Sequence, residues 1–160
     1  NKLVLAGNIN QIYSHKIKYN SVKCLYFVCN EKISNDRYIH LFPEDDLINN
    51  IVLINNISSD YAPKDVSLLS ISLIGNILTS KTLIKTIQKK ISKIYKIDID
   101  KIDFLKEYQI DNALPYQSKG YFKKNVTFNK NYLFAGDHTT HSSIEGAMLS
   151  GKRVAENLIN

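Results

Sequence analysis

Asp137, His138, His141, Ser142, Ser143 and Glu145 fall within nine consecutive residues near the C-terminus of a 160-residue chain. Two histidines three apart beside two serines invite a metal or nucleophile reading. The pair comes without a Cys or a third ligand, and no G-x-S-x-G elbow surrounds either serine. Neither a metal nor a hydrolase is therefore expected, and no catalytic residue is assigned. His15 and His40 have no partner pattern and read as surface or strand residues. A different chemistry follows from the order of the elements. The hydrophobic run Tyr132-Leu133-Phe134-Ala135 delivers Gly136 and Asp137 at the carboxyl end of a strand, where open α/β sheets place ligands. A helix then begins with Ser143, Ile144, Glu145, Gly146 and Ala147, and its free amides and positive dipole end suit an electron-rich group. Ala147, Gly151 and Ala155 recur every four positions, so one face can approach a helix or a flat ligand closely. A capped helix with a small-residue packing stripe accounts for the same residues equally well.

The elements that must position this segment are legible upstream. Residues 2–8 read as a short, fully buried strand ended by a Gly-Asn turn. Residues 21–29, 38–42, 48–54 and 66–75 are β-branched or aromatic runs separated by turn-formers, and their spacing favours antiparallel neighbours. A helix over 80–95 is predicted from capping by Thr79 or Ser80 and from Leu83, Ile84, Ile87, Ile91 and Ile94 at helical steps. Its lysines read as a solvated face, with Asp98, Asp100 and Asp103 as their charge partners, since that run lacks the Gly and distal Glu of a calcium loop. Residues 103–110 read as a strand, 111–117 as an irregular segment interrupted by Pro115, and a polar loop follows through Lys124. The last helix is expected over 143–158.

A net charge of +6 invites a nucleic-acid reading. Ile, Asn and Lys make up 58 of the 160 residues, however, and all three have A/T-rich codons, while Arg37 and Arg153 are the only arginines. Nucleic-acid interfaces recruit Arg for bidentate contacts, so no nucleic-acid partner is expected. No apolar run approaches the length of a transmembrane span, and the first residues are not a signal sequence. Cys24 and Cys29 sit five apart in a strand-like run, on opposite faces, so a disulfide between them is not expected and a reduced, cytoplasmic location is the default.

The segment NYLFAGDHTTHSSIEGAMLSGKRVAENL closely resembles the C-terminal flavin-binding motif of the FAD-dependent amine oxidase and phytoene desaturase superfamily. YNSVKCLYF (19–27), LINNIVLINNISSDYAP (47–63), LLSISLIGN (68–76) and YQIDNALPYQ (108–117) resemble one NAD(P)/FAD-dependent oxidoreductase subgroup of it, and LVLAGN (3–8) resembles the strand leaving the FAD domain. The resemblance implies FAD as cofactor, held by Gly136, Asp137, Ser143, Ile144, Glu145, Gly146 and Ala147, and hydride transfer from a small organic substrate to flavin N5. Asp137 matches the acidic position at the ribityl or phosphate region, and Ile144 the residue whose amide faces the flavin pyrimidine edge. Glu145 reads equally as a helix-start charge. By analogy, Tyr116 and Gln117 border the cavity.

The glycines, at 7, 75, 120, 136, 146 and 151, are too dispersed for a G-x-G-x-x-G pyrophosphate cradle. The expectation is a C-terminal portion whose N-terminal FAD-binding half lies in the same or a separate chain. The fold class expected is α+β (α/β). A mixed, largely antiparallel substrate-domain sheet with helices would be joined to the C-terminal strand and helix of an incomplete Rossmann-like FAD-binding domain. Residues 1–10 are expected to leave the FAD domain, 11–124 to form the substrate domain and 125–160 the C-terminal FAD-binding segment. The rival reading is a non-enzymatic binding module that keeps the fold without the cofactor.

Overall fold

Strands that alternate apolar with polar or small residues offer one face to a core and one to water, and a helix with an apolar stripe can cover the first. The computed structural model describes residues 2–7, 10, 17–119 and 132–159. In chain order the strands and α-helices are β1 (Leu3–Ala6), β2 (Tyr19–Cys29), β3 (His40–Leu41), β4 (Asn50–Leu53), α1 (Ile54–Ile57), β5 (Ser67–Ile74), α2 (Lys81–Tyr95), β6 (Ile102–Pro115), β7 (Tyr132–Ala135) and α3 (Ile144–Ile159). The polar loop expected around Lys124 lies outside the described residues. The chain divides into two units, residues 21–111 and residues 1–20 with 112–160. Among the described residues no helix is long and apolar enough to cross a membrane.

In the unit of residues 21–111 the sheet runs in the order β3-β4-β5-β2-β6, and the pairs β2–β5, β3–β4 and β4–β5 are antiparallel. Register lines up Leu25, Ile71 and Ile51 in one row and Phe27, Leu69 and Leu53 in the next. All six are buried, and Ile87 and Ile91 of α2 join them in one core. The opposite face carries Cys24 and Ser70, 3.2 Å apart, while Cys29 is in the core, and both cysteines are free thiols. The Ser80 hydroxyl accepts the Leu83 amide at 3.0 Å and caps α2, as its position in the sequence requires.

Three expectations change in this unit. The strand expected over 48–54 stops at Leu53, because the Asn55 amide donates to the Val66 carbonyl at 2.8 Å and its oxygen accepts the Leu68 amide at 2.9 Å, which gives the backbone an alternative to the ladder. The strand expected over 103–110 runs on through the segment read as irregular, ending at Pro115. β6 lies at the edge of the sheet, and a proline in its last position removes no ladder donor. The aspartates after α2 do not pair with its lysines among the described residues: Asp98 accepts the Asp100 amide at 3.1 Å in a turn, and Lys90 reaches Asp45 at 2.6 Å instead.

In the other unit β1 and β7 pair in parallel, Ala6 opposite Ala135. α3 turns Gly146, Ser150 and Val154 inward, and Leu133 and Phe134 of β7 are buried with them. The small-residue stripe Ala147, Gly151 and Ala155 is exposed, one position round the helix from the stripe that packs. β1, expected to be fully buried, leaves Leu3 53% and Val4 38% exposed. Among the described residues of this unit one α-helix accompanies the two-stranded parallel sheet, whereas parallel sheets ordinarily have both faces covered.

Candidate functional site

β1 and β7 both end in glycine, and their register sets Gly7 beside Gly136 at the carboxyl edge of the parallel pair. Gly7 has φ +94° and Gly136 φ +156°, values that side chains disfavour. A Cβ on Gly136 would lie 2.5 Å from Cε1 and Nδ1 of the His138 ring, so any other residue would have to move that ring as well as bear the positive φ ahead of the 3-10 turn Asp137–Thr139.

Two hydroxyls fix that turn to α3. The Ser150 hydroxyl accepts the Gly136 amide at 3.0 Å, and the Thr139 hydroxyl donates to the Gly136 carbonyl at 2.8 Å and lies 2.6 Å from Ser150 Oγ. The Ser143 hydroxyl caps the helix by accepting the Gly146 amide at 2.9 Å, and Thr140 donates to the Gly146 carbonyl at 2.7 Å. A Cβ on Gly146 would collide with the His141 carbonyl and lie 2.9 Å from Thr140 Oγ1. The first internal bond of the helix start runs from the Ala147 amide to the Ser143 carbonyl at 3.0 Å. The amides of Ile144 and Glu145 precede it, in the positions where helix donors lack internal acceptors.

A cavity of about 530 Å³ opens at this edge. Ala6 and Gly7, Ala113 and Leu114, Ala135, Gly136 and Asp137, and Ser143, Ile144 and Ala147 line it. Of the residues singled out in the sequence, Gly136, Asp137, Ser143, Ile144 and Ala147 thus come together around one space. Two do not. Glu145 projects outward, 88% exposed, 3.7 Å from His141 Nε2, and Gly146 is buried against the preceding loop. Neither Tyr116 nor Gln117 lines the cavity. The Tyr116 amide donates to the Lys18 carbonyl at 2.8 Å, and it is Pro115 that faces an adjoining space of about 190 Å³.

That smaller space also holds Tyr19, Asn112, Asp137 and His138. Burial raises the Tyr19 phenol and the nearby Asp137 carboxylate adds to it, whereas burial lowers the His138 imidazole against the opposing pull of Asp137. Leu114 and Ala113 are cavity residues that the sequence does not single out, because the apolar pair preceding a proline carries no chemical signature. Gly7 is signalled only as a turn. Ser150 and Thr139 sit among many hydroxyls, and nothing in their spacing marks them. The resulting site has apolar, mostly small-residue walls, one carboxylate and the open amides of a 16-residue helix. Such a lining accommodates an apolar face, with the carboxylate and the helix amides available to polar groups at its edge.

Residues 11–159 match the model of the family described as flavin containing amine oxidoreductase. No curated protein matches the chain. Among the solved structures that resemble it in fold are the following two. One is an oxidoreductase from Methanosarcina mazei, 13% identical, with 88% of this chain and 35% of that chain covered and a TM-score of 0.57. The other is a protein from Pyrococcus furiosus, 14% identical, with 94% and 34% covered and a TM-score of 0.59. The chain spans about a third of the length of either.

Proposed function

The chain belongs to the flavin containing amine oxidoreductase family, and on that premise we propose that it is the C-terminal part of an FAD-dependent oxidoreductase acting on a small organic substrate. FAD is the cofactor of the family, and when bound it supplies a hydride acceptor at the flavin N5. The observation that carries the reading is the convergence of the Asp137 carboxylate and the α3 N-terminus on one cavity at the ends of two parallel strands.

Each residue has a part consistent with its chemistry. Asp137 would accept hydrogen bonds from hydroxyls of the ribityl chain. The amide of Ile144, at the positive end of the α3 dipole, would donate to the pyrimidine carbonyl edge and favour negative charge there. Ala6, Ala113 and Ala147 give a flat ring room to lie against backbone. Ser150 and Thr139 hold Gly136 and α3 together and so keep the carboxylate and amides in register. The unit of residues 1–20 and 112–160 is assigned the cofactor, with its Rossmann-like remainder supplied by an N-terminal half. Exposed Leu3, Val4, Ile144 and Met148 support a face that such a half covers. Residues 21–111 are assigned to the substrate side.

FAD titration of Asp137→Ala, in protein carrying both halves, tests the assignment. Affinity should fall by about 1.5–3 kcal/mol, the cost of losing a hydrogen bond to a charged acceptor. Unchanged affinity would reduce Asp137 to a turn residue.

A further inference from the structure

The unit of residues 21–111 contains a cavity of about 850 Å³, lined among others by Lys32 and Arg37 of one loop and Lys64 of another. Three cations meet one carboxylate there, Asp65, and none of the three forms an ion pair with any described residue. Three lysines elsewhere in this unit are matched. Lys23 lies 3.6 Å from Glu107, Lys90 2.6 Å from Asp45, and Lys101 2.6 Å from Glu31. Lys32, Arg37 and Lys64 are exposed, as are Lys81, Lys85, Lys89 and Lys93 along α2, which are unmatched as well. Convergence on a concave space is what separates the first three from them.

The walls of this cavity are pinned by side chains. The Asn56 amide donates to the carbonyls of Ser34 at 3.0 Å and Asp36 at 2.9 Å, tying α1 to the loop that carries Lys32 and Arg37. Asn55 holds the Val66 carbonyl, and the Ser67 hydroxyl donates to the Glu31 carbonyl at 2.8 Å while accepting the Ile33 amide at 3.1 Å. The loop bearing Lys64 is thereby fastened to the same frame. One of only two arginines in a chain of 21 cationic side chains sits here. A guanidinium offers a planar fork to two oxygens of one group, and lysines add point charges from other directions.

We propose that this cavity binds the phosphoryl group of a phosphorylated ligand. A tetrahedral dianion presents oxygens in several directions at once and matches cations converging from separate walls, with the excess of positive over negative charge that Lys32, Arg37 and Lys64 leave against Asp65. Isothermal titration of the 160-residue chain with sodium pyrophosphate at low ionic strength is the direct test, with co-sedimentation on phosphatidate-containing vesicles as the second arm. Saturable pyrophosphate binding identifies a soluble phosphate ester as the source, and vesicle binding alone identifies a lipid headgroup. In whichever arm binds, Arg37→Gln and Lys64→Gln should each weaken affinity about tenfold or more, as loss of one charge-assisted bond requires. Lys85→Gln and Lys89→Gln on α2 should leave it unchanged, and far-ultraviolet dichroism of all four variants should match the parent. No saturable binding in either arm, or equal weakening by the α2 variants, overturns the proposal.

Discussion

The Tyr95 hydroxyl is buried and has no hydrogen-bond partner among the described residues. Burial first, and then the charges of Asp36 and Tyr38, push its pKa up to about 12. The folded state therefore favours the neutral phenol: this contribution to stability is fully present below pH 10 and is lost as pH rises through about 12. Tyr95→Phe removes an unsatisfied polar group, so the variant should match or exceed the parent by up to about 1 kcal/mol at pH 7 and should lose less at alkaline pH, read by urea unfolding. Asp45 works with the opposite sign. A hydrogen bond from Lys90, helped by the backbone amides of Ile48 and Leu47, holds its pKa down at about 2. Its contribution is present above pH 4 and is lost as pH falls through about 2. Asp45→Asn should cost about 1 kcal/mol at pH 7, discounted for solvent screening, and almost nothing near pH 2 in the same unfolding assay.

Two glycines of α3 separate packing from exposure at the scale of an element. Gly146 abuts the His141 carbonyl and Thr140, so Gly146→Ala must displace the helix start; about 1–3 kcal/mol of destabilisation is expected from overpacking. A Cβ at Gly151 meets nothing within 4 Å, so Gly151→Ala should stabilise the 160-residue chain by roughly 0.5–1 kcal/mol. Thermal unfolding of the two variants should shift in opposite directions. In protein carrying both halves, Gly151→Leu should lower melting temperature and flavin occupancy if this side of α3 faces the remainder of the cofactor domain. Full occupancy with an unchanged melting temperature would place that side of α3 in solvent.

For the molecule as a whole, the proposed cofactor is larger than the site this chain supplies. The six glycines are too dispersed in the sequence for a G-x-G-x-x-G pyrophosphate cradle, and the cavity against α3 has a volume of about 530 Å³. The 160-residue chain purified alone should be colourless and hold FAD weakly, because much of the ligand would remain in water. Recovery with stoichiometric yellow flavin would show that the cavity suffices by itself.

Local patterning decided most of the elements before any tertiary contact was considered. α2 follows from isoleucines at helical steps behind a serine cap, and β5 from alternation of Leu69, Ile71 and Leu73 with Ser70 and Ser72, because both periods are properties of neighbouring residues. Gly136 and Asp137 were legible for the same reason: a buried strand running into Gly-Asp and a capped helix is a local signal. What the tertiary structure alone decided depends on residues far apart in sequence. Two small-residue stripes on α3 are offset by one position, and Gly146, Ser150 and Val154 pack instead of Ala147, Gly151 and Ala155. The glycine at 146 permits the approach of the His141 backbone and the Thr140 hydroxyl, and Ser150 finds the Gly136 amide. Ala113 and Leu114 reach the cavity because an edge strand tolerates a terminal proline, and Gly7 reaches it because β1 pairs with a strand more than a hundred residues later. Such partners are chosen by long-range pairing and packing, whose energies are absent from any local window of the chain.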